Sequence, residues 1–570
     1  MSGPGRNQFV MKFPVVLIAP TLTLFAFNAL AQEAPAAPAA PPATAPDAAA
    51  PATAATPAPL PAPTPAPVDS APQPVTPEPV AIAPAAVAPV SPLAPMAPPG
   101  GAVANDGFPL AGWHNGLFFL RDTSDNYRLY VQGRAQVDFY SYAGPGVSDV
   151  ASLKPTLFLR RIRPEITGEF FHSVWFSIAG DFGATGNDNA GGTNETSAAA
   201  PGKAPDATTG KYASAQTARI IAAPTDVFLN FRGDPLLNVQ VGQFDAPFTM
   251  ENRTSDKFIP FMERSLAVRD VGISTNKEIG VMVWGELPSK YWFYSAGIFN
   301  GDGQNKLNVD SRGDEMIRTF VHPLADSKSE LKDLQIGASF RYGSRDKKYS
   351  FYDYNSMSTQ GNYTFWKPTY GGSEGTTHIL PSGNQVGVAG ELRVPVSMFD
   401  FTSEVVYINN QTRETQEGIP AVTLRRGEMK GVSYYLQAGV WLGKRDISGL
   451  PGYENMPHVD FSKPDPDPTH AVQLLAKWEQ VHLSYNGSDR AGTQDVKNAD
   501  GDIKVNAFSL GANYWMSKHV RLSANYVLNI FPDSAIKSTP SQRATAPGNS
   551  VAKDDAHNLH EFLLRAAVAL

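Results

Sequence analysis

The stretch from Tyr127 to Tyr142 reads YRLYVQGRAQVDFYSY. Leu129, Val131, Ala135, Val137 and Phe139 share one parity, while Arg128, Gln132, Arg134, Gln136 and Asp138 hold the other. Successive strand residues point to opposite faces, so one face here is oily and the other charged. Soluble strands usually stop after about six residues, whereas a tilted strand needs about ten to cross a bilayer. The same alternation returns down the chain and predicts a transmembrane β-barrel.

Fifteen further segments carry the pattern, near 155–170, 174–182, 226–233, 236–244, 276–286, 291–299, 315–322, 333–342, 386–394, 400–408, 430–441, 471–485, 504–515, 519–530 and 558–570. The expected fold is all-β: an antiparallel barrel of about 16 strands, an even number as closure requires. Tight turns at Phe171–Ser173, Gly233–Pro235, Leu287–Lys290 and Met516–Lys518 alternate with long polar loops, as expected of periplasmic turns and outer loops. Residues 442–470 break the rule, being long and proline-rich on the short-turn side. Either that turn is atypical or a strand pair is hidden there. The final strand, HNLHEFLLRAAVAL, ends on Leu570, where barrel-assembly signals usually place an aromatic residue.

Before the barrel, Arg6 and Lys12, the apolar run Phe13–Phe27 and the Ala29-Leu30-Ala31 site predict a signal peptide over 1–31. Residues 32–107 are alanine- and proline-rich and read as a disordered periplasmic linker, a spacer with possible peptidoglycan contact. The barrel domain is then 108–570. Export followed by strands points to a Gram-negative outer membrane and its lipid. The absence of cysteine excludes disulfides and thiolate metal sites, and a net charge of −7 gives no footprint for nucleic acid. Ten histidines form no HExxH pair, and no GxSxG or phosphate-binding glycine loop occurs, so no enzyme, cofactor or metal is expected.

The segments LRRIRPEITGEFF (159–171), DVFLNFRG (226–233), VQVGQFDAPFTMENRTSDKFIPFMERSLAVRD (239–270), AGIFNGDG (296–303) and GANYWMSKHVRLSANYVLNI (511–530) resemble the phosphate-selective porin O and P family in order and spacing. The resemblance implies a sixteen-stranded, trimeric outer-membrane channel whose third outer loop, here about Asp245–Thr275, folds inward to narrow the pore. That loop carries Phe248, Phe258, Ile259, Phe261 and Met262, which suit packing against an inner wall better than exposure. Family members select phosphate with pore-facing arginines and central lysines; no residue here is assigned to those lysines.

Charges at the constriction set porin selectivity. Inward parity gives eleven cations (Arg128, Arg134, Arg161, Arg163, Arg232, Arg318, Arg341, Arg393, Lys477, Arg521 and Arg565). Ten anions face them: Asp138, Glu165, Glu169, Asp181, Asp226, Glu278, Glu391, Glu404, Glu479 and Glu561. The residues expected to attract an anion such as phosphate are Arg253, Lys257, Arg264 and Arg269 in the loop and Arg134, Arg161, Arg163 and Arg232 on the wall. Lumen salt bridges that stiffen the barrel are the competing use of the same side chains. Inward Trp175, Tyr435, Trp441 and Trp515 suit either lumen packing or a sugar track. The expected function is passive uptake of small hydrophilic solutes with an anion or phosphate preference. A weakly selective general pore and an envelope tether acting through the linker stand as alternatives.

Overall fold

The computed structural model describes residues 103–569 except 115–116, 146, 148–152, 184–222, 274–275, 288–289, 309, 348–351, 367, 373–374, 417–421, 446–450, 454–458, 462–469, 491–500 and 532–556. The expected signal peptide and most of the expected linker lie outside the described residues.

Sixteen antiparallel strands close into one barrel. In chain order they are β1 (Tyr127–Ala143), β2 (Thr156–Phe170), β3 (Val174–Asp181), β4 (Ala223–Asp234), β5 (Leu237–Asp245), β6 (Lys277–Glu286), β7 (Trp292–Phe299) and β8 (Asp314–Val321). The wall continues with β9 (Gln335–Arg345), β10 (Gly375–Val396), β11 (Phe399–Gln416), β12 (Arg425–Leu442), β13 (Ala471–Arg490), β14 (Gly501–Trp515), β15 (Val520–Ile530) and β16 (Asn558–Ala569). Each strand pairs with its neighbours in sequence, and β16 closes against β1 with Arg565 opposite Asp138. Beside that seam a hairpin, Ala111–His114 with Leu117–Arg121, pairs its second arm to the start of β1. Among the described residues no helix is long and apolar enough to cross a membrane.

Alternation decides which side is wet. Val131, Val137 and Phe139 are exposed on the outer face of β1, while Arg128, Gln136 and Asp138 are buried toward the lumen. Outward Leu157, Ile178, Ile298, Leu436, Leu510 and Leu564 form an apolar outer band of the kind a transmembrane barrel turns to lipid. On that face Trp478 stacks on Phe508 and meets Tyr434 edge-on, and Tyr526 tilts against Phe562. Leu436, flanked by Ser403 and Trp478, is half exposed in the membrane-crossing part of β12. Leu436→Arg is expected to cost about 2–4 kcal/mol of folding free energy in lipid vesicles. Equilibrium urea unfolding checks this, and a cost near zero would mean the face is not lipid-exposed.

The longest strands, β10, β11, β12 and β13, run further than their expected segments. Their outer ends rise beyond the oily band, where both faces meet polar neighbours and the dyad pattern fades: Thr412, Arg413, Glu414 and Thr415 are all buried. No strand is described between β12 and β13, so the 443–470 connection is an atypical turn among the described residues rather than a hidden pair.

Candidate functional site: the constriction

The β5–β6 connection, residues 246–276, leaves the wall at Asp245 and folds into the barrel. Phe248, Met250, Ile259, Phe261, Met262, Leu266 and Val268 are all nearly inaccessible. A single π-helical turn, Ala267–Val271, completes it. At its root Gly242 has φ of 134°, and a side chain there would strike the Val227 carbonyl. That explains the glycine of the Gly242-Gln243-Phe244 run.

Carboxylates pin the loop on two sides. Wall residue Glu404 accepts the Met250 and Glu251 amides at 2.6 and 2.9 Å, and the Tyr435 hydroxyl at 2.8 Å. Glu479 accepts the Leu266 amide at 2.6 Å. Opposite them the loop offers its own carboxylates to wall arginines. Arg160 binds Glu263 with two contacts of 3.0 Å, Arg161 adds one of 3.1 Å, and Arg565 one of 2.7 Å. Asp256 takes Arg134 at 2.7 Å, Arg163 at 2.8 Å and Arg161 at 3.1 Å. Burial by itself would raise these two acids, but the guanidinium groups outweigh it and hold both well below the usual carboxylate range. Asp256 and Glu263 therefore stay charged at any working pH.

Each expected site residue can now be placed. Arg134, Arg161 and Arg163 converge on the loop, with Arg163 opposite Arg134 and Arg161 opposite Gln136 in the β1–β2 register. Arg163 also binds Asp181 at 2.6 Å. Lys257 lies 3.8 Å from Glu165. Arg264 brackets the loop itself, donating to the Glu251 carbonyl at 3.1 Å and the Thr254 carbonyl at 2.9 Å. Arg253 donates to the Asp245 carbonyl. Arg269 donates to Asp270 at 3.2 Å and to the Thr359 carbonyl at 2.9 Å. Arg232 is exposed beside the short β4–β5 turn, its guanidinium 5.4 Å from the Trp175 ring centre.

Two features escaped the sequence reading. Arg160 faces inward because the register slips between Gln136 and Val137, where Arg161 and Leu159 are the successive partners. That β-bulge turns the odd residues from outward at Leu157 and Leu159 to inward at Arg161 and Arg163. The β9–β10 connection also enters the lumen, through a small hairpin pairing Met357–Ser358 with Thr364–Trp366. From it Gln360 reaches Glu479 at 2.6 Å, and the Gly361 amide reaches Glu561 at 3.0 Å. Tyr354, Tyr363, Phe365 and Trp366 gave the same aromatic signal there that marked the first loop.

From the periplasmic side the 443–470 connection also reaches in. The Gly452 amide donates to Thr254 at 3.0 Å and the Gly452 carbonyl accepts Arg318 at 2.6 Å. Tyr453 packs among Phe293, Phe320 and His322. The inward tryptophans are packing groups here: Trp441 lies against Trp515, with Phe258 of the loop on the pair. No cluster of three or more metal-ligating side chains occurs among the described residues.

A family model described as Phosphate-selective porin O and P matches residues 130–357, the stretch that holds β1–β9, the constriction loop and its clamp. Over this stretch the chain is similar to the phosphate-selective porin O and P family. Porin O of Pseudomonas aeruginosa is 22% identical over 320 residues, which are 52% of this chain and 66% of that protein, just short of two thirds. Among solved structures, the channel DcaP of Acinetobacter baumannii aligns at TM-score 0.41 and 10% identity over 79% of this chain and 99% of its own. An anion-selective porin from Comamonas acidovorans aligns at TM-score 0.39 and 11% identity, over 78% and 100%. The porin barrel is one of the Gram-negative outer membrane.

Two acids near the outer end of the lumen titrate within reach. Burial raises Asp270 of the constriction loop to about 6 against the pull of Arg269, and raises Asp302 of the next outer turn to about 6 against Arg345. Both line one cavity of about 70 Å³. Their folded pKa values exceed the unfolded ones, so their contribution to stability is present at low pH and lost as pH rises through about 6. Conduction follows the same protons. Acidification from pH 7.5 to 5 removes two negative charges, so the zero-current potential in a salt gradient is expected to move toward anions. An unchanged potential, or a shift toward cations, would contradict this placement.

Proposed function

We propose that the protein is an outer-membrane channel for passive uptake of small solutes, with small anions such as phosphate preferred. The observation that carries this reading is the charge balance where the loop meets the wall. On the β1–β3 and β15–β16 side of the loop seven cations (Arg134, Arg160, Arg161, Arg163, Lys257, Arg521 and Arg565) gather with five carboxylates (Asp138, Glu165, Asp181, Asp256 and Glu263), while the opposite side adds Lys477 with Glu404 and Glu479. Across the whole lumen the signs nearly balance, but selectivity is set at the narrowest part. Most of the cations are salt-bridged, yet the cluster keeps a positive surplus in a confined, poorly screened space. Three inward segments filling the lumen favour a selective pore over a general one. The family match supports the same class of solute.

A homotrimer fits the outer face. A concave apolar patch of about 530 Å³ crosses the seam, lined by Val137, Leu157, Ala512, Leu522, Ala524 and Ala566. Small residues there let a second barrel approach.

Swelling of proteoliposomes in isosmotic solutes tests the reading. Small inorganic anions, with potassium made permeant by valinomycin, should enter several times faster than a neutral pentose. Equal entry of both would favour the general pore.

A further inference from the structure

We propose that a cavity on the periplasmic side of the constriction loop binds one small anion: a halide, or a single oxygen of phosphate or a carboxylate. The site deepens the anion reading above and rests on it for its role in transport. It is lined by Arg134, Lys257, Trp515, Lys518, His519 and Arg521, with no carboxylate among its described lining residues.

Arg521 carries the argument. Its residue is 2% exposed and its guanidinium lies 4.7 Å from the centre of the Trp515 ring. One nitrogen, Nη1, donates to the Ile259 carbonyl of the loop at 2.8 Å. Nε and Nη2 are buried with no hydrogen-bond partner, and so are Arg134 Nε and Trp515 Nε1 in the same lining. Four buried N–H donors without an acceptor thus belong to residues that line one cavity. An unmet buried donor costs about 1–3 kcal/mol, more when charged, so such a set is sustained by something that supplies lone pairs and negative charge.

The neighbouring groups do not fill that role. Gln136 Oε1 is taken by Arg161 at 2.8 Å, and the Ala569 carbonyl lies 2.7 Å from His519 Nδ1. The carboxylates nearest in contact, Asp256 on Arg134 and Glu165 on Lys257, are not part of the lining. The cavity measures about 10 Å³, room for one water-sized atom. That size sets the ligand class: an oxyanion enters by one oxygen, and a halide, somewhat wider than a water, enters by spreading the lining. A flat guanidinium seated on an indole presents its N–H edge sideways, which suits an oxygen or halide approaching in that plane.

Two measurements on the full chain decide the matter. In crystals grown with sodium bromide, one anomalous peak is expected within hydrogen-bond distance of Arg521 Nη2 and Trp515 Nε1. A water there without anomalous signal would overturn the site. In planar bilayers, wild-type conductance should saturate with rising potassium chloride. Arg521→Gln should raise the half-saturating concentration about tenfold, as loss of a charge-assisted donor pair implies. Because Arg521 also anchors Ile259, Trp515→Phe is the cleaner variant: it keeps an aromatic face beside Arg521 and the anchor, and should raise the value about fivefold, the worth of one hydrogen bond. Potassium phosphate in place of chloride separates the sources, since saturation in chloride alone assigns a halide and saturation in both assigns an oxyanion as well. Anion selectivity with saturation unmoved in both variants would remove the site and leave the channel reading intact. A bromide peak in a channel without anion preference would do the reverse.

Discussion

Glu263→Ala is expected to open the pore: single-channel conductance should rise severalfold and the barrel should lose about 3–5 kcal/mol of stability, the usual scale for breaking a buried ion network from one side. Glu263 alone receives Arg160 twice, Arg161 and Arg565. Removing it sets those guanidinium groups against one another, with Asp256 still on Arg161 and Asp138 still on Arg565. The loop end from Phe261 to Arg264 then loses its largest hold on the β2–β16 side of the lumen, keeping there the bond from Arg565 to the Met262 carbonyl. Glu263→Gln keeps the shape and one acceptor, so its effect should be smaller and in the same direction. Bilayer conductance and urea unfolding of the same preparations check both halves. A Glu263→Ala barrel with wild-type conductance would mean the arginine clamp does not position the loop.

The second large effect is expected at Arg318, fully buried on β8. It binds Glu391 at 2.8 and 2.9 Å and lies 4.5 Å from the Phe320 ring centre. Glu391 stands directly opposite Glu404 across the β10–β11 register, so Arg318 is what balances two neighbouring carboxylates. Arg318→Ala leaves that pair facing each other without its guanidinium, Glu391 keeping the donation from Gln335 at 2.9 Å. Loss of about 3–5 kcal/mol is expected. The same change frees the Gly452 carbonyl, and with it the periplasmic segment that touches Thr254 of the constriction loop. Proteolysis within 443–470 on the periplasmic side should therefore accelerate in Arg318→Ala while outer-loop cleavage does not. Equal protection in variant and wild type would mean this segment is held by other contacts.

Much of the fold was legible because a barrel repeats one rule. Period-two alternation located all sixteen strands, and the apolar content of Phe248 to Met262 marked a loop that turns inward. Alternation failed where geometry leaves the rule. A bulge at Arg160 adds one residue to one strand, which hides that residue and reverses the parity behind it. Strand ends beyond the membrane lose contrast between their faces, so Gly375–Val396 was expected to be far shorter. The inward turn around Gly452 carries no periodic signal, since its hold on the lumen is through backbone groups. At the candidate site, residue types were readable and pairings were not. Arg134, Arg161 and Arg163 were expected to face a solute, and which carboxylates they meet depends on where a loop about a hundred residues away in sequence is laid. Nothing in the spacing marks Arg521 as the cation whose Nε and Nη2 are left without partners.

The most direct test of the central claim, that a cationic surplus at the constriction sets selectivity, is the zero-current potential across a bilayer holding the wild-type channel in a tenfold potassium chloride gradient at pH 7.5. The account predicts a potential of the sign carried by chloride, larger at low salt where screening is weak. A potential of zero, or one carried by potassium, would contradict it.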